Sequence, residues 1–272
     1  MGRYPTGIFV NSNNSIYIPN QETGQIHIWE NENSINPSKN ISGNLSEPSS
    51  LFVTENRDIY VDNGKKGSVD KWIAENNTWI SVMPVESQCF DLFIDILDNL
   101  YCSMRDKNRV EKKWSNDTTT TTVAGTGVEG SLSDMLYHPW GIFVDINFDL
   151  YVADSGNDRI QLFGLNQPNG ITIAGQESSD VTIELYGPTG IVLDGDQYIF
   201  IVDSANHRLI GSDKNGFRCI FGCSDLSSYP RTMSFDSYGN IYVIDQRNHR
   251  IQKIIKNNMC DGTFFCIYSL NL

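Results

Sequence analysis

Asp203, Ser204 and His207 stand within one five-residue stretch, and together they are the side chains of a nucleophilic triad. The hydroxyl would attack, the imidazole would take its proton and the carboxylate would orient the ring. A second constellation, Gly125-Thr126-Gly127-Val128-Glu129-Gly130, fits the Gly-x-Gly-x-x-Gly pattern of dinucleotide sites, where glycines let the backbone approach a pyrophosphate at the start of a helix. A third, Arg105, Lys107, Arg109, Lys112 and Lys113 with Trp114 beside them, has the cations and the stacking ring that single-stranded RNA uses.

Each of the three has a plainer explanation in the surrounding chain. Asp154-Ser155 repeats the acid and the hydroxyl without a histidine, and Asp245-Gln246 with His249 repeats the acid and the histidine without the hydroxyl. A feature that recurs at regular distance belongs to turn chemistry: the Asp accepts backbone N–H groups in a tight turn, and a carboxylate or carbonyl holds the Arg that follows. The glycine pattern has to open a helix, whereas Ser131 to Tyr137 is short and leads straight to Pro139. Gly125 also aligns with Gly175 and Gly222 as the end of an outer strand. Asp106 and Glu111 dilute the basic stretch, and a net charge of −13 repels phosphate backbones, so nucleic acid is an unfavoured partner.

The elements that carry these residues repeat six times. Pro5, Pro48, Cys89, Pro139, Pro188 and Pro230 are each followed twelve residues later by an aromatic: Tyr17, Tyr60, Tyr101, Tyr151, Phe200 and Tyr242. Successive anchors are 43, 41, 50, 49 and 42 residues apart, so length variation collects in loops outside the constant segment. Within a unit, apolar runs such as Ile142 to Val144 and Ile160 to Phe163 are bounded by turn formers and are too short for helices. Four such segments per unit predict an all-β fold: a six-bladed β-propeller of four-stranded antiparallel blades, approximately 1–47, 48–88, 89–138, 139–187, 188–229 and 230–272. The inner strands then place Thr6, Ser49, Phe90, Trp140, Thr189 and Arg231 in one ring of the central channel. Ile8, Leu51, Leu92, Ile142, Ile191 and Met233 are expected in a second ring, two residues deeper on the same side. Each blade reads as one continuous stretch, which predicts closure by packing of blade one against blade six.

Gly239-Asn240-Ile241-Tyr242-Val243-Ile244-Asp245 and Asn248-His249-Arg250-Ile251-Gln252 are similar almost letter for letter to the repeat of the NHL propeller family. The resemblance runs through the whole chain and is strongest in units four to six; Asn20, Asn63 and Met104 replace the Asp of that motif in units one to three. It implies a binding module or, since an amidating lyase shares the family, a zinc enzyme with histidine ligands near the channel mouth. Zinc catalysis needs about three converging ligands and an open position. His207 and His249 occupy consensus turn positions, His138 precedes Pro139 at the mouth and His27 lies on an outer strand. These positions belong to different blades without converging, so no metal or other cofactor is expected.

No apolar run approaches the ~20 residues of a membrane-spanning helix, and no signal peptide is read in this chain, which is expected to be part of a longer one. Among six cysteines, Cys260 and Cys266 bracket a hairpin tip at Asp261-Gly262 and are the pair expected to bridge; Cys102 is expected as a buried strand residue. An even cysteine count favours an extracellular over a cytoplasmic setting. What fits best is a non-catalytic module that presents a protein- or peptide-binding face, or a small-ligand site, at the channel mouth. Its expected residues are Phe90, Arg105, Lys107, His138, Trp140, Asn157, Asp158, Asn206, His207, Tyr229, Arg231, Asn248 and His249, with Trp140 and Tyr229 as anchors. The alternatives are a zinc-dependent lyase, an RNA-binding domain, and the substrate-recruiting domain of a ubiquitin ligase.

Overall fold

Proline or cysteine at each anchor admits the chain to an innermost strand, and the turn chemistry that follows folds it outward three times. The computed structural model describes residues 5–30, 34–178, 183–223, 228–260 and 263–270, with backbone alone over 256–260 and 263–270. It contains six four-stranded sheets, each built from consecutive strands and each fully antiparallel, arranged as the blades of a propeller. The innermost strands are Phe9–Val10, Leu51–Val53, Asp91–Ile94, Pro139–Val144, Pro188–Leu193 and Pro230–Phe235.

The core is divided among six apolar clusters, one between each pair of adjacent blades. Leu51 packs with Ile26, Ile28 and Ile41 of blade one, and the ring closes where Ile8, Val10, Ile16 and Ile18 meet Tyr242, Ile244 and Ile251 of blade six. Side-chain packing thus seals the seam, helped by the Val10 N–H donating to the Ser234 hydroxyl at 3.0 Å.

First turns are Asx-turns. Asp145 Oδ1 accepts the N–H groups of Asn147 and Asp149 at 2.8 and 2.9 Å, and Asp95, Asp194 and Asp236 do the same in their blades. Second turns are single 3₁₀ turns closed by a left-handed residue: Gly67, Asn108, Asp158 and His207.

The recurring Asp of the second strand does more than cap a turn. Asp154 accepts the Tyr137 N–H at 2.7 Å from the connection that enters the same blade, together with Asn157 Nδ2 and Arg159 Nε, each at 2.8 Å. Asp203 and Asp245 repeat the arrangement with Tyr186, Asn206 and Arg208, and with Tyr229, Asn248 and Arg250. Each clamp fixes the loop arriving from the previous blade to the scaffold. Asn63 keeps the loop contact in blade two by accepting the Ser46 N–H at 2.7 Å.

Blade three has Met104 at the clamp position and Cys89 at the proline position, and there Cys89 is disulfide-bonded to Cys102. This corrects the expectation for Cys102: it is buried on its strand, and it is also half of a bridge that ties the inner segment to the second strand. Cys219 and Cys223 form a second bridge across the outer end of blade five. The expected Cys260–Cys266 pair lies outside the residues whose side chains are described.

The six residues of the second ring line the lower cavity, as expected, and their side chains also enter the packing between blades. Ile8, Leu51, Leu92, Ile142, Ile191 and Met233 are all buried within the clusters between blades. In blades four to six a β-bulge follows the proline, so the alternation slips by one residue. The next residues, Phe9, Phe52, Phe93 and Phe143, line the same cavity in a chain of rings 4.9, 5.4 and 5.0 Å apart.

Candidate functional site

Six residues, each one position after its anchor, surround the upper channel mouth, and they divide into two chemical groups. The Thr6 hydroxyl donates to the Ser49 carbonyl at 2.9 Å, the Ser49 hydroxyl to the Cys89 carbonyl at 3.0 Å, and the Thr189 hydroxyl to the Arg231 carbonyl at 2.8 Å. Each bond joins one blade to the next, so these three hydroxyls are structural staples. Phe90, Trp140 and Arg231 remain, all half-buried and facing the opening.

Those three side chains converge. The Phe90 and Trp140 rings meet edge to face with centroids 4.5 Å apart. Arg231 reaches from blade six past blade five, bringing its guanidinium carbon to 3.7 Å from the centre of the Trp140 ring in blade four. Arg105, the first residue of the 3₁₀ turn Arg105–Lys107, stands 5.6 Å from both the Phe90 and the Trp140 rings. Beneath them lies a chamber of about 10 Å³, bounded by Thr6, Ser50, Asp91, Thr189 and Thr232, which has room for about one water. A larger cavity of about 230 Å³ lies along the same inner strands.

The electrostatics of this cluster are unusual for so acidic a chain. Arg109, Arg159, Arg208 and Arg250 each form an ion pair with Asp or Glu. Among the described residues Arg231 has no such pair, and its Nε is buried without a hydrogen-bond acceptor. Burial, reinforced by the charge of Arg105, brings Arg231 down to about 10, which leaves it cationic at neutral pH. Burial and the same Arg105 charge hold His138, whose Nδ1 is 3.5 Å from Arg105, below the ordinary imidazole range. Below the mouth, burial pushes the enclosed Asp91 carboxyl up to about 7 although it accepts the N–H groups of Ile142 and Leu92 at 2.9 and 3.0 Å.

Of the other expected residues, His138 borders the cluster through Arg105. His138 stacks on Tyr137 at 4.3 Å, and His207 packs against Tyr229 at 5.5 Å with its Nδ1 2.7 Å from the Ser228 carbonyl. Asn157, Asn206 and Asn248 serve the Asp clamps, while Asp158 accepts the Gly187 N–H at 2.7 Å. His249 occupies the left-handed turn position with φ 52°, and Lys107 is half-exposed, 3.9 Å from Glu86. The Ser204 hydroxyl donates to the Pro230 carbonyl at 2.6 Å rather than to His207, so the three residues do not assemble as a triad. Gly125 ends an outer strand at φ 79°, where a Cβ would stand 2.3 Å from the Asn108 carbonyl; the glycine answers a packing need. No three His, Cys, Asp or Glu side chains converge at metal-binding distance among the described residues.

Sequence reasoning missed Asp91 and the lower ring of phenylalanines. The second had a visible signal, since phenylalanine stands four residues after the anchor in four of six units. Asp91 had none, because its enclosure comes from neighbouring blades.

Fold and mouth together define a six-bladed β-propeller. Solved structures similar to it include a streptogramin B lyase, at TM-score 0.71 and 12% identity over 100% of this chain and 84% of that one. A protein of unknown function from Bacteroides thetaiotaomicron aligns at TM-score 0.72 and 16% identity, over 92% and 68% of the two chains. A chain of a nidogen–laminin complex aligns at 0.67 and 16%, over 91% and 88%. No protein-family model and no curated protein matches the sequence. At these identities the likeness establishes the fold alone.

Proposed function

We propose that the chain is a non-catalytic propeller of the NHL-repeat type that captures a protein partner across its upper mouth. One observation carries this reading: Phe90, Trp140, Arg231 and Arg105 form a half-exposed aromatic and cationic cluster above a chamber only one water wide. A ligand swallowed by a propeller needs an open channel, whereas a docking partner needs an anchor surface. Trp and Arg clustered at the centre of a face are the residue types that dominate interface energetics. The two disulfides fit an oxidising, extracellular setting.

The test is Trp140→Ala. It weakens partner capture by tenfold or more, while costing less than about 1 kcal/mol in stability because the ring is half-exposed. An unfolded variant would make Trp140 a core residue, and undiminished capture would move the site elsewhere. The likeness to lyases supplies a second reading, which incubation with quinupristin and metal analysis of the purified protein address. Neither conversion of the compound nor stoichiometric zinc is expected, and either one would replace the binding reading.

A further inference from the structure

We infer that the mouth recognises a carboxylate on a peptide segment; this rests on the docking reading above and specifies what the partner presents there. The positive focus is the first ground. In a chain with 33 acidic and 20 basic residues, Arg231 is the one arginine, among the described residues, that is both shielded from solvent and without an acidic partner. Two exposed arginines, Arg57 and Arg247, are also without an acidic partner among the described residues, but water solvates them. A half-buried guanidinium without a counter-charge is under-solvated, and an incoming anion supplies the missing counter-charge.

Geometry is the second ground. Arg231 and Arg105 approach the Trp140 ring from blades six and three, so two cationic forks flank one aromatic floor. A planar carboxylate can accept paired N–H bonds from such a fork while an adjoining apolar group rests on Phe90 or Trp140. Arg105 already pairs with exposed Asp106 at 3.0 Å and lies 3.5 Å from His138 Nδ1; Arg231 has the larger unmet demand. The surrounding negative charge favours a single local anion over a polyanion such as RNA, whose other phosphates would face an acidic surface.

A bead library of hexapeptides tests this with the intact chain. Matched members carry Glu or Gln at the two central positions beside Leu or Phe, and each is made with an amidated and with a free C-terminus. Glu members are expected to be retained at least tenfold over their Gln counterparts, and Arg231→Gln removes that preference. Preference for free over amidated C-termini, also lost in Arg231→Gln, would still support the carboxylate and would assign it to a chain end.

Retention of Gln and Glu members alike, lost in Trp140→Ala, would overturn the carboxylate inference and leave the docking reading intact. Retention of nothing, or retention indifferent to both Trp140→Ala and Arg231→Gln, would overturn both. Tighter binding of a single-stranded oligonucleotide than of any Glu peptide would also overturn the inference. Arg105→Gln, at an exposed turn, gives an independent check should Arg231→Gln fail to fold; an unchanged Glu preference in it would count against the paired-arginine site.

Discussion

Replacing Arg159 by leucine puts the clamp that joins loop to blade under direct strain. The side chain is 2% exposed, and its guanidinium donates to Asp154 at 2.8 Å, Glu177 at 2.7 Å and the carbonyls of Ser131, Leu132 and Met135 at 2.8, 3.1 and 3.2 Å. Leucine restores some apolar volume but leaves the fully buried Asp154 carboxylate with only Asn157 and the Tyr137 N–H. Burial already raises the Asp154 carboxyl above its ordinary range, so loss of its cation raises it further.

Breaking one side of a buried ion pair costs about 3–5 kcal/mol. The same change at Arg208 or Arg250, 23% and 29% exposed, costs about 1–2 kcal/mol, because water reaches the vacated carboxylate. Urea unfolding at pH 7 measures the order. The Arg159 variant should also cleave faster between residues 126 and 138 under limited proteolysis, since three carbonyls there lose their donor. Equal costs at the three positions, or a cost below about 1 kcal/mol at Arg159, would refute the view that the clamp braces the loop.

Asp91→Asn should change the pH dependence of stability. A carboxyl whose folded value is raised to about 7 binds its proton more tightly when folded, so the wild type loses stability as pH rises from about 4 to 7, and the asparagine variant lacks that slope; parallel profiles would show that the carboxyl is solvated. Replacing Cys89 and Cys102 together by alanine costs about 3 kcal/mol by the entropy of a thirteen-residue closure; unchanged urea midpoints would indicate that the thiols are not joined in solution. Amides of blade one, with its two-residue inner strand, exchange earlier than those of blade five, whose inner strand has six residues; uniform protection would argue against a weak seam.

The architecture was legible because one spacing, anchor to aromatic, is the same in all six units, and a constant spacing within variable periods can only be a strand pair. The clamp was half legible: the Asp and Arg pairing could be inferred from recurrence, but not that its reach extends to Tyr137, which is distant in sequence. Ring membership at Thr6, Trp140 and Arg231 followed from register alone. What register could not give was the bulge after Pro139, Pro188 and Pro230, which leaves an apolar run looking unbroken while Phe143 joins Ile142 in lining the lower cavity. Nor could it show that Arg231 crosses the opening to a blade two places away. The Cys89–Cys102 bridge was missed because a proline position is not where a cystine is sought.

The stapling of Thr6, Ser49 and Thr189 to neighbouring carbonyls has a consequence for how such a face changes its target. Half of the six mouth letters hold the circle together through hydrogen bonds to a neighbouring carbonyl, and the other half meet one another across the opening. Under the docking function proposed above, retuning falls to Phe90, Trp140 and Arg231, whose side chains meet one another rather than a neighbouring carbonyl.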